Sequence, residues 1–150
     1  MIALIQRVST AAVRIDGAEI ASIAKGILAL IGVERGDSEA EAARLAERVV
    51  AYRVFTDAHG KMNLSLKDIG GELLAVPQFT LAADTGSGLR PSFSGAAAPA
   101  EGALLFVKCT EKAAEAVRVA TGRFGAHMQV SLVNDGPVTF WLRVAPSGKS

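Results

Sequence analysis

The sequence is poor in the residues that most often carry chemistry: among 150 residues it has one cysteine, Cys109, and two histidines, His59 and His127. A single cysteine excludes an internal disulfide and agrees with a reducing compartment. Neither histidine has a sequence context that would make it the base for a serine or cysteine nucleophile. Cys109 falls within a predicted helix, where a structural thiol is expected. The sequence therefore predicts no ordinary catalytic triad.

Metal-binding and phosphate-binding patterns are missing as well. No two histidine or cysteine residues stand at zinc-like spacing, the acidic residues fall mostly on one helix or in turns, and no glycine-rich loop precedes a helix. We therefore expect no metal and no cofactor. If the protein is an enzyme, its chemistry must depend on backbone geometry and on one or two polar side chains.

Charge and hydropathy limit the partners and the location. The formal net charge of +1 argues against a protein that coats a duplex, because each neutralised phosphate needs about one Lys or Arg. No apolar run reaches the roughly 20 residues that cross a bilayer, and residues 1–7 are typical of a strand rather than a signal peptide. We expect a cytoplasmic protein that has no membrane partner and binds any nucleic acid locally.

Hydrophobic periodicity is what the sequence does have, with 50% of its residues hydrophobic. This is enough for the core of one compact domain. Ser38 and Glu41 form a capping-box pattern that predicts a helix over residues 38–52. Pro99 can open a second helix; its end is left open, since Val117 could already begin the next strand.

The remaining pattern predicts strands and turns. Asp16-Gly17 suits a tight hairpin turn, and residues 134–137 suit the turn of a final hairpin. Residues 57–71 are typical of turns, and residues 84–98 of a surface loop. Predicted strands cover residues 2–8, 11–15, 18–21, 27–33, 72–81, 128–133 and 138–144. We expect an α/β fold with mixed β-sheets and two main helices packed on one side, a single domain over residues 1–144, and a flexible C-terminal tail over 145–150.

One unusual segment is Pro77-Gln78-Phe79-Thr80-Leu81. On a strand, Gln78 and Thr80 would share one face while Phe79 points to the other. Pro77 cannot donate to a ladder, so an edge, bulge or break is expected where this polar pair begins. The pair is either the solvated face of an ordinary strand or part of an accessible site.

A second unusual segment is Asn134-Asp135-Gly136-Pro137-Val138-Thr139. Asn-Asp-Gly-Pro chemistry fits a plain hairpin turn. Alternatively, Gly136-Pro137 is a cis peptide whose carbonyls are aimed into a pocket. Position alone does not decide between these interpretations, because only about 5–6% of X–Pro bonds are cis.

The two segments together carry a family resemblance. The chain resembles the D-aminoacyl-tRNA deacylases from Met1 to about Val144, although Pro77 stands where that family usually has serine. Further stretches in the family's order and spacing are Arg7-Val8, Gly60-Lys61-Met62-Asn63-Leu64-Ser65, Gly71-Glu72, Arg90-Pro91-Ser92-Phe93 and Thr121-Gly122-Arg123-Phe124-Gly125.

The resemblance implies a homodimer that hydrolyses the ester between a D-amino acid and the 3′-terminal adenosine of tRNA. It implies that Gln78, Phe79 and Thr80 form the catalytic pocket. The implied chiral selection and substrate binding are by Gly136-Pro137, a cis pair supplied by the partner subunit, with Arg7, Val138 and Thr139. A filter of this kind cannot exclude glycine, so glycyl-tRNA is an expected secondary substrate.

Two alternatives remain open at this point. A non-catalytic dimeric module could bind RNA 3′ ends or free D-amino acids through the same groove, which the near-neutral charge and the missing acid–base pair favour slightly. A general esterase is less consistent with the sequence, because nothing resembles a nucleophile elbow.

Overall fold

The structure is a computed structural model that describes residues 1–147. Along this part of the chain the elements are β1 (Ile2–Ile15), β2 (Ala18–Ile23), β3 (Gly26–Gly32), α1 (Glu39–Ala51), β4 (Phe55–Thr56), β5 (Met62–Leu64), α2 (Leu66–Ile69), β6 (Glu72–Pro77), α3 (Pro99–Ala114), β7 (Arg118–Thr121) and β8 (Gln129–Arg143). A 3-10 helix, Phe79–Ala82, lies between β6 and α3.

The main sheet is mixed. Its order is β2-β1-β3-β6-β7, and β8 also pairs with β1. The pairs β3–β6 and β6–β7 are parallel, whereas β1 is antiparallel to β2, β3 and β8. The small sheet of β4 and β5 stands apart. The continuous apolar run of β3 lies between β1 and β6, where both faces of the strand are covered, as its composition predicts.

Both main helices occur where the sequence predicts them. Ser38 caps α1, and the side chain of Glu41 accepts a hydrogen bond from the Ser38 N–H at 2.6 Å, which completes the capping box. Pro99 is the first residue of α3, where its missing N–H costs nothing. The predicted packing on one side is confirmed: α1 and α3 contact each other and cover one face of the sheet.

A second, smaller core fills the other face of the sheet. The end of β1, together with β2 and the start of β8, curls over the face of β3 and β6 that is remote from the helices. The fully buried members of this core are Val8, Ala11, Val13, Ile23, Leu28, Leu74 and Val76. The sheet is therefore packed on both faces.

Two predictions about strands are wrong in an instructive way. Residues 2–8 and 11–15 form one continuous strand, β1. Ser9 and Thr10 are exposed, but they keep the strand conformation between the part of β1 that pairs with β3 and the part that pairs with β2. The predicted final hairpin does not exist: β8 is one strand that pairs with β1 along its whole length. Local turn chemistry around Gly136 is overridden by the antiparallel ladder on both sides of it.

The region between α1 and β6 is more ordered than predicted. Residues 57–71 include β5 and the short helix α2, which Ser65 and Asp68 cap reciprocally. The strand predicted over 72–81 ends at Pro77, because β7 pairs with β6 only as far as Ala75 and the chain then turns into the 3-10 helix. The break expected at Pro77 is therefore confirmed, and the strand prediction for residues 78–81 is wrong.

A few observations concern parts of the chain away from both unusual segments. No helix in residues 1–147 has the length and apolar composition needed to span a bilayer.

Cys109 is buried in the core between sheet and helices, and this burial raises the pKa of its thiol to about 12. Of the predicted tail, Ser147 donates from its N–H to Glu41 Oε1 at 2.9 Å, and residues 148–150 lie outside the described residues.

Candidate active site

The Gln78 segment is a turn at the end of a buried strand. The Gln78 N–H donates to the carbonyl of Ile31 at 2.7 Å, which continues the β3–β6 ladder one residue beyond Pro77. The chain then enters the 3-10 helix, whose Leu81 N–H donates to the Gln78 carbonyl at 3.2 Å. A single backbone bond to β3 thus fixes where the polar pair stands.

The predicted proximity of the Gln78 and Thr80 side chains is confirmed, although no strand carries them. The Gln78 amide donates to the Thr80 hydroxyl, so the polar pair is real even though no strand carries it. The Phe79 ring is 56% exposed and packs against the Phe93 ring at 5.2 Å between centroids. A polar pair and an exposed aromatic ring therefore come from consecutive residues.

Two cavities of about 260 Å³ each open beside Phe79. They share Pro77, Phe79 and Gly125 as walls. The first is almost wholly apolar and is completed by Ala97, Pro99 and Phe124. The second is completed by Gln78, His127, Val76, Ala126, Met128 and Val130. An apolar slot beside a more polar one can accept a planar ring together with polar groups attached to it.

The Gly136 segment is a wide bulge in β8. Gln6 lies opposite Thr139 and Val8 lies opposite Asn134, so residues 135–138 all face the single residue Arg7. The Gly136-Pro137 peptide is cis, and residues 135–137 are exposed. The sequence left this isomer open.

Glycine is required in this bulge on steric grounds. Gly136 has φ +142°, and a Cβ built there would lie 2.7 Å from Val138 Cγ2 and 3.3 Å from the Arg7 guanidinium. The Asn134 side chain spans the bulge: its oxygen accepts from the Val138 N–H at 3.0 Å, and its amide donates to the Thr139 hydroxyl at 2.9 Å. Side chains on both sides therefore fix the path of the main chain.

Arg7 is the other support of the bulge. Its Nε donates to the Asp135 carbonyl at 2.9 Å, and its Nη1 donates to the Val54 carbonyl at 2.7 Å. Only 14% of the Arg7 side chain is exposed. A mostly buried guanidinium with two carbonyl acceptors is a rigid link between β8 and the segment that follows α1.

A single chain does not bring the two segments together. Arg7 lies opposite Ile27 on β3, whereas Gln78 is bonded to Ile31, four residues further along. The segments are therefore about 13 Å apart along the strands and about 14 Å apart across three strand spacings. Within one chain, a site that used both segments would have to span this separation.

Comparison with known proteins defines the family. A protein family described as D-Tyr-tRNA(Tyr) deacylase matches residues 4–143. The chain belongs to the D-aminoacyl-tRNA deacylase family. The resemblance inferred from the two segments is thus confirmed, as is the predicted enzyme class, since a deacylase of this family is an ester hydrolase.

Individual relatives agree with this assignment. The chain is 64% identical to a D-aminoacyl-tRNA deacylase of Thioalkalivibrio sulfidiphilus over 97% of this chain and 99% of the relative. It is 59% identical to the D-aminoacyl-tRNA deacylase of Vibrio cholerae over 95% and 99% of the two chains.

Solved structures share the fold. A structure described as c-Myc DNA Unwinding Element Binding Protein has a TM-score of 0.92 and 34% identity, covering 97% of this chain and 99% of its own. A structure described as a probable eukaryotic D-amino acid tRNA deacylase has a TM-score of 0.79 at 15% identity, covering 94% of this chain and 97% of its own. At 15% identity the second likeness concerns the fold alone.

Sequence reasoning did not assign several residues at this deacylase's two segments. Phe93 and Phe124 belong to stretches that carry the family resemblance, yet nothing in their local pattern predicts contact with Phe79 or a place on a cavity wall. The local pattern around Asn134 predicts a turn residue, whereas the structure shows it as the support of a bulge. One histidine without a partner in sequence carries no functional signal, whereas the fold places His127 on the wall of a cavity that Gln78 also lines.

Proposed function

We propose that the protein hydrolyses the ester bond between a D-amino acid and the 3′-terminal adenosine of tRNA, and that it does so as a homodimer. In each of two equivalent sites, Gln78, Phe79 and Thr80 of one protomer would receive the terminal adenosine and the ester. Gly136-Pro137 of the other protomer, with Val138 and Thr139, would face them and select the enantiomer. Free tRNA and a D-amino acid are the products.

The separation of the two segments carries the dimer proposal. Within one chain they stand on different parts of the sheet, so the family's paired motifs can meet only across two copies. The strand that bears Gly136-Pro137 also exposes large apolar side chains on either side of the bulge: Val133 and Trp141 are each 56% exposed, and Phe140 is 37% exposed. A surface of this kind suits a protein partner.

Chiral selection would be steric. Main-chain oxygens of the Gly136-Pro137 pair would bind the ammonium of the substrate, and the backbone around them would leave no space for a side chain of L configuration. Such a filter must be stiff, because a wall that yields by 1 Å would admit the wrong enantiomer. Arg7 and Asn134 provide the stiffness through their bonds to Asp135 and Val138.

The chemical step needs little from the protein's side chains. Water attacks the ester carbonyl, the oxyanion forms, and the ribose oxygen leaves with a proton. We propose that the neighbouring hydroxyl of the terminal ribose helps to activate water, and that the N–H groups of Phe79 and Thr80, the first of the 3-10 helix, stabilise the oxyanion. Thr80 is not the nucleophile in this scheme, because no base accompanies its hydroxyl.

The test is to follow ester loss from matched D- and L-aminoacyl-tRNA with purified protein, alongside its oligomeric state in solution. We expect rapid hydrolysis of the D-ester, persistence of the L-ester and a dimer. Equal hydrolysis of both enantiomers, or an active monomer, would overturn the filter. Binding without hydrolysis would favour the non-catalytic module instead.

Glycyl-tRNA supplies a second test of the same filter. A filter that works by excluding an L side chain has nothing to exclude in glycine, so glycyl-tRNA should be hydrolysed well above the rate for L-aminoacyl-tRNA. If glycyl-tRNA is as resistant as the L-esters, selection must depend on recognising the D side chain rather than on steric exclusion.

A further inference from the structure

We infer that His127 binds the phosphate on the 5′ side of the terminal nucleoside, at the mouth of the cavity that Gln78 and Phe79 also line. This inference rests on the function proposed above and adds a binding residue to it. His127 is the single ionisable side chain on the walls of the two cavities beside Phe79, as far as residues 1–147 define them.

The chemistry of the terminal nucleotide limits what His127 could bind. The base fits the apolar cavity beside Phe79 and Phe124, and the ester belongs with Gln78 and Thr80. The phosphate is the group that remains, and it must lie at an opening because the RNA chain continues from it. Imidazole donates an N–H to an acceptor whether it is neutral or protonated, and a phosphate oxygen is a strong acceptor.

Burial across the second cavity agrees with this placement. Val76 forms its floor at 1% exposure, Met128 and Val130 are half-buried, and His127 is exposed at the rim. The imidazole is therefore accessible at the opening of the cavity that Gln78 also lines.

The turn that carries His127 is bonded to β6 at its start and is closed by hydrogen bonds of its own. Gly122 donates to the Ala75 carbonyl at 2.8 Å, which fastens the turn to the end of β6. Within the turn, the Arg123 N–H donates to Met128 Sδ at 3.4 Å, and the Ala126 N–H donates to the Arg123 carbonyl at 3.3 Å. The imidazole is thus offered from a fixed backbone next to the Gln78 segment, which favours a binding role.

The experiment compares two small substrates that differ by the phosphate: the D-aminoacyl ester of adenosine and the D-aminoacyl ester of adenosine 5′-monophosphate. His127→Ala should raise KM for the phosphorylated ester and for D-aminoacyl-tRNA about tenfold, with kcat unchanged. It should leave the unphosphorylated ester unaffected. His127→Asn, which keeps an N–H donor, should retain most of the affinity, and His127→Phe, which keeps only a ring, should behave like His127→Ala.

The matched control is His59→Ala. His59 is the chain's other histidine and lies exposed in the turn that Asp57 holds, away from both cavities, so its replacement should change neither substrate. Circular dichroism melting of each variant checks that the fold is intact.

Each result decides the question. Equal losses on the two small esters would overturn the phosphate contact in favour of a contact to the base or ribose, and unchanged kinetics of the His127 variants would remove His127 from the site. A wild-type protein that leaves D-aminoacyl-tRNA intact would overturn the proposed function, and this inference with it. An active wild type with an unchanged phosphate preference in His127→Ala would overturn the inference alone.

Discussion

The two segments that carry the family resemblance are built in opposite ways. The Gly136 bulge offers main chain, and side chains from two strands hold that main chain in place. The Gln78 turn offers side chains together with the N–H groups at the start of the 3-10 helix, and a backbone bond from Gln78 to Ile31 holds it against the neighbouring strand. The proposed mechanism, with exclusion at one wall and contact at the other, uses both designs. Substitutions should therefore act through geometry in the first segment and through individual atoms in the second.

The largest effect is expected for Gly136→Ala. The new Cβ would collide with Val138 and approach Arg7, so the bulge would have to move. A shift of about 1 Å at a filter can cost on the order of 100-fold, and we expect a loss of that size in kcat/KM for D-aminoacyl-tRNA.

Gly60→Ala is the matched control for this substitution. Gly60 also has a positive φ, +78°, but a Cβ there meets nothing within 4 Å. It should cost roughly 1 kcal/mol of stability and leave the rate unchanged. If both variants lose activity to the same degree, the loss at Gly136 reflects stability and not the filter.

Arg7→Ala should have the next largest effect. It removes the donors to the Asp135 and Val54 carbonyls from a mostly buried position, which should cost about 2 kcal/mol of stability. The loosened bulge should also hydrolyse L-aminoacyl-tRNA faster, relative to the D-ester, than the wild type does.

Arg7→Lys and Arg14→Ala sharpen the result for Arg7. The lysine in Arg7→Lys keeps the charge but not the planar guanidinium. This variant should therefore recover little of the preference for the D-ester that Arg7→Ala loses. Arg14 is on the same strand, half-exposed, and pairs with Glu19 only at 3.9 Å; its removal should change stability by less than about 1 kcal/mol. Unfolding in urea and the ratio of D to L rates are the measurements, and an unchanged ratio in Arg7→Ala would contradict the bracing role.

A smaller effect is expected for Thr80→Val. The hydroxyl accepts a bond from the Gln78 amide, so its loss should disturb the position of Gln78 and reduce kcat by less than about tenfold, in line with the loss of one neutral hydrogen bond. Single-turnover rates and tRNA affinity would be measured together. Turnover that disappears while tRNA still binds would show that Thr80 itself performs the chemistry, and the side chains of this turn would then matter more than proposed.

Glu41→Gln should leave activity unchanged and alter only the pH dependence of stability, because Glu41 is remote from both segments. Hydrogen bonds from Ser147 and Ser38 lower the pKa of this carboxyl, which is 3% exposed, from 4.5 to about 2. A lowered folded-state pKa means that the ionised carboxyl stabilises the fold above pH 4.5, and that this stabilisation is lost as the pH falls towards 2. The stability gap between wild type and variant in urea unfolding should therefore be full at pH 7 and shrink below pH 4.5. A gap that does not change with pH would contradict this.

Sequence pattern predicted the elements that depend on neighbours along the chain. The Ser38 capping box, the proline that opens α3 and the Asp16-Gly17 turn, where both residues have positive φ, occur as expected. These signals are local, since caps and tight turns are decided within a few residues. The polar pair of Gln78 and Thr80 was also found from sequence, although a 3-10 turn joins them and not a strand.

The errors lie where distant strands impose a conformation that local chemistry does not favour. Residues 134–137 have good turn chemistry, yet β1 pairs with β8 on both sides of them, and the chain bulges where an isolated segment would reverse. Residues 78–81 follow the apolar strand β6 directly, yet β7 pairs with β6 only as far as Ala75, and beyond the Gln78–Ile31 bond the chain turns into the 3-10 helix. No window of local sequence contains that information, because the deciding contacts are made more than 40 residues away.

The sequence by itself determined the family, the mixed α/β fold and the two segments on which the proposed chemistry depends, because motif order and hydrophobic period are properties of the chain. Only the tertiary structure decided that Arg7 stands under Gly136, that His127 shares a wall with Gln78, and that one chain keeps the two segments apart. All three depend on which residues of neighbouring strands lie opposite each other. That register is set when apolar side chains are buried on both faces of one sheet.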